Sequence, residues 1–203
     1  SRDRIAGSRM AEALGNIIIL DDGFQYRHLT RVCDIVLVPC EGVGNGHMIP
    51  AGPLREPVDA LDRADFIIRT GSETEQQQCQ PLSSIHEWRW QSASADLIDV
   101  MNSGAEAPAS LYAVTAIARP QRFFDSLQES GFTLSGSKIF PDHHPFSAQE
   151  VDSFLQHPDD LALTAKDAVQ LAPLWPEDKP LWLLKLQGSG EPGLIKAIIA
   201  KLP

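Results

Sequence analysis

Nowhere in its 203 residues does the chain hold an apolar run approaching the roughly 18 residues that a membrane-spanning helix needs. Basic charge is scarce as well. Seventeen Lys and Arg face 27 Asp and Glu, a formal charge of −10, and no window gathers the basic residues that neutralise phosphates. Nucleic acid is therefore not an expected partner, and the same charge argues against a polybasic grip on an anionic membrane. Cysteine is sparse too: Cys33, Cys40 and Cys79 form no C-x-x-C, so neither a disulfide framework nor a zinc ribbon is signalled. Ser1-Arg2-Asp3-Arg4 and the alanine-rich polar stretch after it lack the apolar centre of a secretory signal, which predicts a cytosolic protein. What is present is ordinary for a folded chain, 43% hydrophobic and 22% charged, enough for a buried core in one large domain or two small ones.

The apolar pattern predicts an α/β protein. Ile5, Met10, Ala13 and Leu14 share a face at helical spacing before Gly15-Asn16 stops the helix. Continuous β-branched runs at residues 17–20, 34–38 and 65–69 predict strands buried on both faces, the mark of a parallel sheet covered by helices. From about Gly71 to Ala109 the texture turns to Gln, Ser and Glu around an alternating segment, residues 85–90, and reads as a connection between domains. The α/β rhythm then restarts. Strands are predicted at 111–117, 138–140, 161–164 and 181–186, and helices at 121–130, 148–155 and 166–171.

Three segments could carry chemistry. Asp21-Asp22-Gly23-Phe24-Gln25 follows the first apolar run, and carboxylates at the C-terminal end of a parallel strand lie where α/β sheets bind ligands and Mg²⁺. The same residues also suit a plain strand-ending turn. Gly42-Val43-Gly44-Asn45-Gly46 can adopt positive φ and turn its amides toward an anion, although it lacks the Gly-Lys-Ser/Thr ending of a P-loop. Downstream, prolines flank Arg55 and Glu56, the first able to fork onto phosphate and the second to help hold a metal, with a surface ion pair as the plain alternative. In Phe140-Pro141-Asp142-His143-His144 one His could serve as a base tuned by a carboxylate, or could cap a loop. Adjacent side chains on an extended segment point oppositely, which disfavours joint chelation by His143 and His144. Thr164 is expected to cap a helix, and residues 119–124 to enter one.

In this order the segments resemble the tetraacyldisaccharide 4'-kinase family, the lipid A 4'-kinases of Gram-negative bacteria. The family's DDGFQH, GNG with PAGPLREP, A-I/P-x-R-F-F, FPDHH and TEKDA elements correspond to residues 21–26, 45–57, 116–124, 140–144 and 164–168. Tyr26 stands in place of a His and Ala165 in place of a Glu, and no G-x-x-x-x-G-K-[ST] occurs anywhere.

The resemblance implies the remainder of a P-loop-kinase-like parallel sheet core (residues 1–72), a linker with short strands (73–109) and a smaller C-terminal α/β domain (110–203). It implies transfer of the γ-phosphate of ATP, with Mg²⁺, to the 4'-hydroxyl of an acylated glucosamine disaccharide phosphate. The site would be at the cytoplasmic face of the inner membrane, reached through an N-terminal segment not seen in this chain. Asp21 and Asp22 would hold the metal and nucleotide with Gln25 nearby, and Arg55 and Glu56 would face the phosphates and metal. His143 would orient and tune the carboxylate that deprotonates the sugar hydroxyl. On this reading the chain is part of a longer enzyme and inactive by itself. The alternative is a diverged, non-catalytic module that binds a nucleotide or a lipid head group.

Overall fold

The computed structural model describes residues 3–203. It divides into two compact units, Ser1–Ser92 with Ser189–Pro203, and Ala93–Gly188.

In the first unit helix α1 (Arg4–Ala11) starts at Asp3, whose carboxylate accepts from the Ile5 and Ala6 amides and satisfies two otherwise orphaned donors. Strands β1 (Ile35–Pro39) and β2 (Phe66–Gly71) pair in parallel, Ile35 opposite Phe66, and β2 pairs in parallel with the start of β3 (Glu87–Asp99). Helix α2 (Glu73–Gln77) follows β2 behind a capping box made by Ser72 and Glu75. A buried arginine ties this sheet together. Arg69, 2% exposed, donates to Glu87 (2.8 Å) and to the carbonyls of Gln80, Pro39 and Cys40.

Residues 17–20, expected as a strand, form none. Ile19 is 90% exposed, and a β-branched run becomes a strand only where a neighbour completes its backbone ladder; among the described residues none does.

The second unit is a four-stranded parallel sheet in the order β7-β6-β4-β5, built from β4 (Ser110–Thr115), β5 (Thr133–Ile139), β6 (Leu161–Leu163) and β7 (Trp182–Gly190). Helices α3 (Pro120–Glu129), α4 (Ala148–Leu155) and α5 (Ala165–Leu171) cover it on two sides. Phe123, Phe124 and Leu127 pack with Leu111, Ala113 and Trp182 on one side; Val151, Phe154 and Leu171 pack with Val114 and Leu163 on the other. The predicted helix at 148–155 is α4, and Pro120 opens α3 at a first-turn position that has no use for its missing N–H.

The division differs from boundaries near 72 and 110. Residues 73–109 hold α2 and the 13-residue β3, and β3 and β7 each run through a unit boundary. The last helix, α6 (Leu194–Lys201), belongs to the first unit rather than to a domain of residues 110–203. Leu194 is fully buried with Phe66 and Ile68, and Lys201 pairs with Asp65 at 2.7 Å. Such a return is a long-range burial decision, which local periodicity does not encode.

Candidate functional site

In the first unit Asp21 and Asp22 form an exposed turn. Asp22 sits at φ 51°, a left-handed conformation that aspartate tolerates better than most residues, and its carbonyl accepts from the Arg4 guanidinium at 2.9 Å. Gly23 is required beneath it, because a Cβ there would lie 2.9 Å from the Leu20 side chain and 3.3 Å from its carbonyl. Neither Asp carboxylate has a side-chain partner among the described residues. Gln25 is exposed beyond them, and Tyr26 lies under Arg4, 5.4 Å from its guanidinium carbon, with its ring edge-on to His28.

The glycine-rich loop is folded around one side chain. Gly42, Gly44 and Gly46 all adopt positive φ, as their spacing predicts. The Asn45 amide donates to the Ala51 carbonyl at 2.9 Å, and its oxygen accepts from the His47 amide at 3.1 Å. Ile49 and Leu54 close the loop through backbone bonds, and the Ile49–Pro50 peptide is cis. Gly52 passes so near that a Cβ would fall 2.1 Å from the Asn45 oxygen and 2.3 Å from the His47 carbonyl.

Loop and turn are fastened to each other by Glu56. One of its oxygens pairs with Arg27 at 3.2 Å and the other with Arg63. Arg63 also donates to the Phe24 carbonyl and stacks over the Phe24 ring, 3.8 Å from its centroid. Desolvation pushes the Glu56 carboxyl up, but the Arg63 hydrogen bond and the charges of Arg63 and Arg27 outweigh it and leave the group below its ordinary value. Each oxygen thus takes one arginine, so Glu56 fastens the frame, with a second lone pair left on each oxygen. Arg55, next to it, is exposed. Among the described residues no group of three or more His, Cys, Asp or Glu side chains encloses a metal site. Two exposed carboxylates nevertheless suit Mg²⁺, which commonly takes one or two from the protein and completes its shell with phosphate oxygens and water.

In the second unit the Phe140-to-His144 segment leaves the C-terminal end of β5 and is a turn rather than an extended strand. His143 has φ 62° and is 79% exposed in its side chain, and its Nε2 lies 3.5 Å from Asp142. His144 does the opposite. It stacks on Phe140, with centroids 4.5 Å apart, and bonds Glu150 at 3.0 Å. The two imidazoles are thus separated by a turn and by what each touches, in place of the strand alternation expected.

Sequence reasoning missed the side chains that hold these segments. Arg27 and Arg63 fasten the first-unit site, and Asp167 fastens the second. Asp167 is fully buried and accepts from Thr115 Oγ1 (2.8 Å), Thr164 Oγ1 (2.7 Å) and the Ala116 amide (3.0 Å). Thr164 caps α5 as predicted. The Thr-x-x-Asp spacing signals that cap; no local pattern signals its tie to β4.

A model of the family described as Tetraacyldisaccharide-1-P 4'-kinase matches residues 1–203. The chain belongs to this family. It is 37% identical over 169 residues to the tetraacyldisaccharide 4'-kinase of Azoarcus sp. (strain BH72), covering 80% of this chain and 48% of the relative. To that of Alkalilimnicola ehrlichii it is 32% identical over 209 residues, covering 98% and 58%. The chain therefore spans about half the length of the curated relatives it matches. A crystal structure of LpxK from Aquifex aeolicus in complex with ATP shares the fold, with a TM-score of 0.76 at 24% identity over the whole of this chain and 64% of that one.

Proposed function

We propose that the chain forms part of a kinase that transfers the γ-phosphoryl group of ATP to the 4'-hydroxyl of a tetraacyldisaccharide 1-phosphate. The family match over residues 1–203 carries this reading. In this reading the roles of its residues follow from their chemistry. Phosphoryl transfer needs positioning and neutralisation more than covalent help from the protein. Asp21 and Asp22, exposed and without side-chain partners among the described residues, hold Mg²⁺, which when bound neutralises charge on the transferring group. Gln25 lies beside them for the nucleotide. Arg55 offers a planar fork to phosphate oxygens, and Glu56, through Arg27 and Arg63, keeps the loop bearing Arg55 in register with the Asp21-Asp22 turn. His143 displays the imidazole that orients the carboxylate base for the hydroxyl proton. We place the reaction at the cytoplasmic face of the inner membrane, because ATP is a cytoplasmic nucleotide and the acceptor is an acylated lipid. No helix among the described residues is long and apolar enough to cross a membrane.

The test uses labelled ATP and the tetraacyldisaccharide 1-phosphate in detergent micelles, with chromatography of the lipid. The chain by itself, having no G-x-x-x-x-G-K-[ST], is expected to give no product. The extended enzyme, in which the chain is completed to the length of its relatives with the remaining part of the Azoarcus relative, is expected to give one. In that enzyme His143→Ala should lower kcat by about 10²–10⁴-fold. His144→Ala should chiefly lower stability, since its ring is engaged with Phe140 and Glu150. Equal loss of kcat at the two positions would remove His143 from the reaction.

A further inference from the structure

His143 is held less by its own contacts than by what holds its neighbour. Three strand ends of the second unit meet here: Ala116 after β4, Phe140 to His143 after β5, and Thr164 to Lys166 after β6. Asp167 binds the first to the third through Thr115, Ala116 and Thr164. The Phe140 amide donates to the Thr115 carbonyl at 2.9 Å and the His143 amide to that of Ala116 at 3.4 Å, so the second end is laced to the first. On this frame Lys166, next to the buried Asp167, reaches Asp142. Its ammonium lies 2.5 Å from Asp142 Oδ1, while Oδ2 of the same carboxylate lies 3.5 Å from His143 Nε2. The described residues give the His143 ring no other polar partner.

We propose that Lys166 is a positioning residue for His143, acting through Asp142. A carboxylate between an ammonium and an imidazole turns toward whichever holds it better. With one oxygen fixed by Lys166, Asp142 presents the other to the imidazole at a set distance and angle. Without Lys166, the carboxylate is released to rotate, and the exposed ring rotates with it. The hydrogen bond from Lys166 is also the foremost cause holding the Asp142 carboxyl below its ordinary value, ahead of the charge on His143. The pair is about 40% exposed on each side, and exposed ion pairs add little to stability, so the expected use of this one is geometric.

The inference rests on the role given to His143 above, and its test has two arms. On the 203-residue chain, carbon-13 NMR follows the Asp142 carboxyl through a pH titration. Lys166→Met should move its midpoint up toward the ordinary carboxylate value, and Lys166→Arg should keep it low. In the extended enzyme Lys166→Met should lower kcat about 10- to 100-fold, the scale of a misplaced catalytic group, with KM and melting temperature unchanged and activity restored by Lys166→Arg. The double variant Lys166→Met/Asp142→Asn should lose no more than Asp142→Asn alone, because the two act in series. Full additivity in that cycle, an unmoved Asp142 midpoint, or full kcat in Lys166→Met together with a loss at His143→Ala would each overturn the positioning role while leaving the kinase reading intact. Absence of transfer by the unsubstituted extended enzyme would instead remove the kinase reading, and this inference with it.

Discussion

Replacing Asp167 by Ala removes the acceptor on which three donors converge, two of them buried and the third, Thr164, half-buried. The Thr115 hydroxyl and the Ala116 amide are fully buried, and water cannot reach them to take its place. Each buried donor left unsatisfied costs about 1–3 kcal/mol. Partial relief comes from no longer burying a carboxylate and from free rotation of the Thr164 hydroxyl at the helix start, so the net loss should be about 3–5 kcal/mol. For a domain assembly of this size that corresponds to a fall in melting temperature on the order of 10 °C. Asp167→Asn should cost far less, about 1 kcal/mol, for a geometric reason. Oδ1 still accepts from Ala116. The amide nitrogen in place of Oδ2 has two hydrogens, and both threonine hydroxyls can turn to accept them. Urea denaturation of the 203-residue chain, followed by tryptophan fluorescence, measures both variants. An alanine variant within 1 kcal/mol of the parent, or an asparagine variant as unstable as the alanine one, would refute the claim that these three donors depend on Asp167.

In the extended enzyme Asp22→Asn should lower kcat by about 10²–10³-fold, the scale of a lost charge-stabilising contact, while the melting temperature stays put, because asparagine tolerates the same positive φ. Unchanged turnover at saturating Mg²⁺ would dissociate this turn from the metal. Gly52→Ala should force the Asn45 oxygen out of its place, costing about 1–3 kcal/mol and exposing the His47 amide to faster hydrogen exchange; unaltered exchange there would mean that the loop does not depend on the Asn45 contact. Stability should fall on acidification. At Glu87 burial pushes the carboxyl up, but the Arg69 hydrogen bond and the amides of Leu82 and Ser83 outweigh it, and at Asp99 the Ser103 hydroxyl and three backbone amides likewise outweigh burial. Groups depressed in the folded state stabilise it fully above the unfolded value near about 4 and lose that contribution as pH drops through the depressed one. The urea midpoint should accordingly hold between about pH 7 and 5 and decline below about 4; a midpoint that rises on acidification contradicts the assignment.

The amino-acid sequence by itself determined the elements whose signals are local. Ser147 and Glu150 begin α4 with a capping box, Thr164 begins α5, and Pro120 begins α3, each through bonds or constraints spanning three or four residues. Apolar runs at 34–38, 65–69 and 111–117 became β1, β2 and β4; β2 and β4 are buried on both faces as a continuous apolar run predicts, whereas Ile35 and Leu37 of β1 are exposed. Tertiary structure alone decided the rest. Residues 17–20 carry the same β-branched signal as β1 but remain exposed, because a strand is made by its partner's backbone and not by its own side chains. Helix α6 joins the first unit because Leu194 is buried with Phe66 and Ile68, residues more than a hundred positions earlier. Glu56 pairs with Arg27 and Arg63 only in the folded chain, because the charge on a carboxylate does not say in advance which side chains will reach it. His143 and His144 are neighbours of identical chemistry. A left-handed turn and a glutamate six residues beyond His144 leave one displayed and engage the other, and both facts come into being only when the chain is folded.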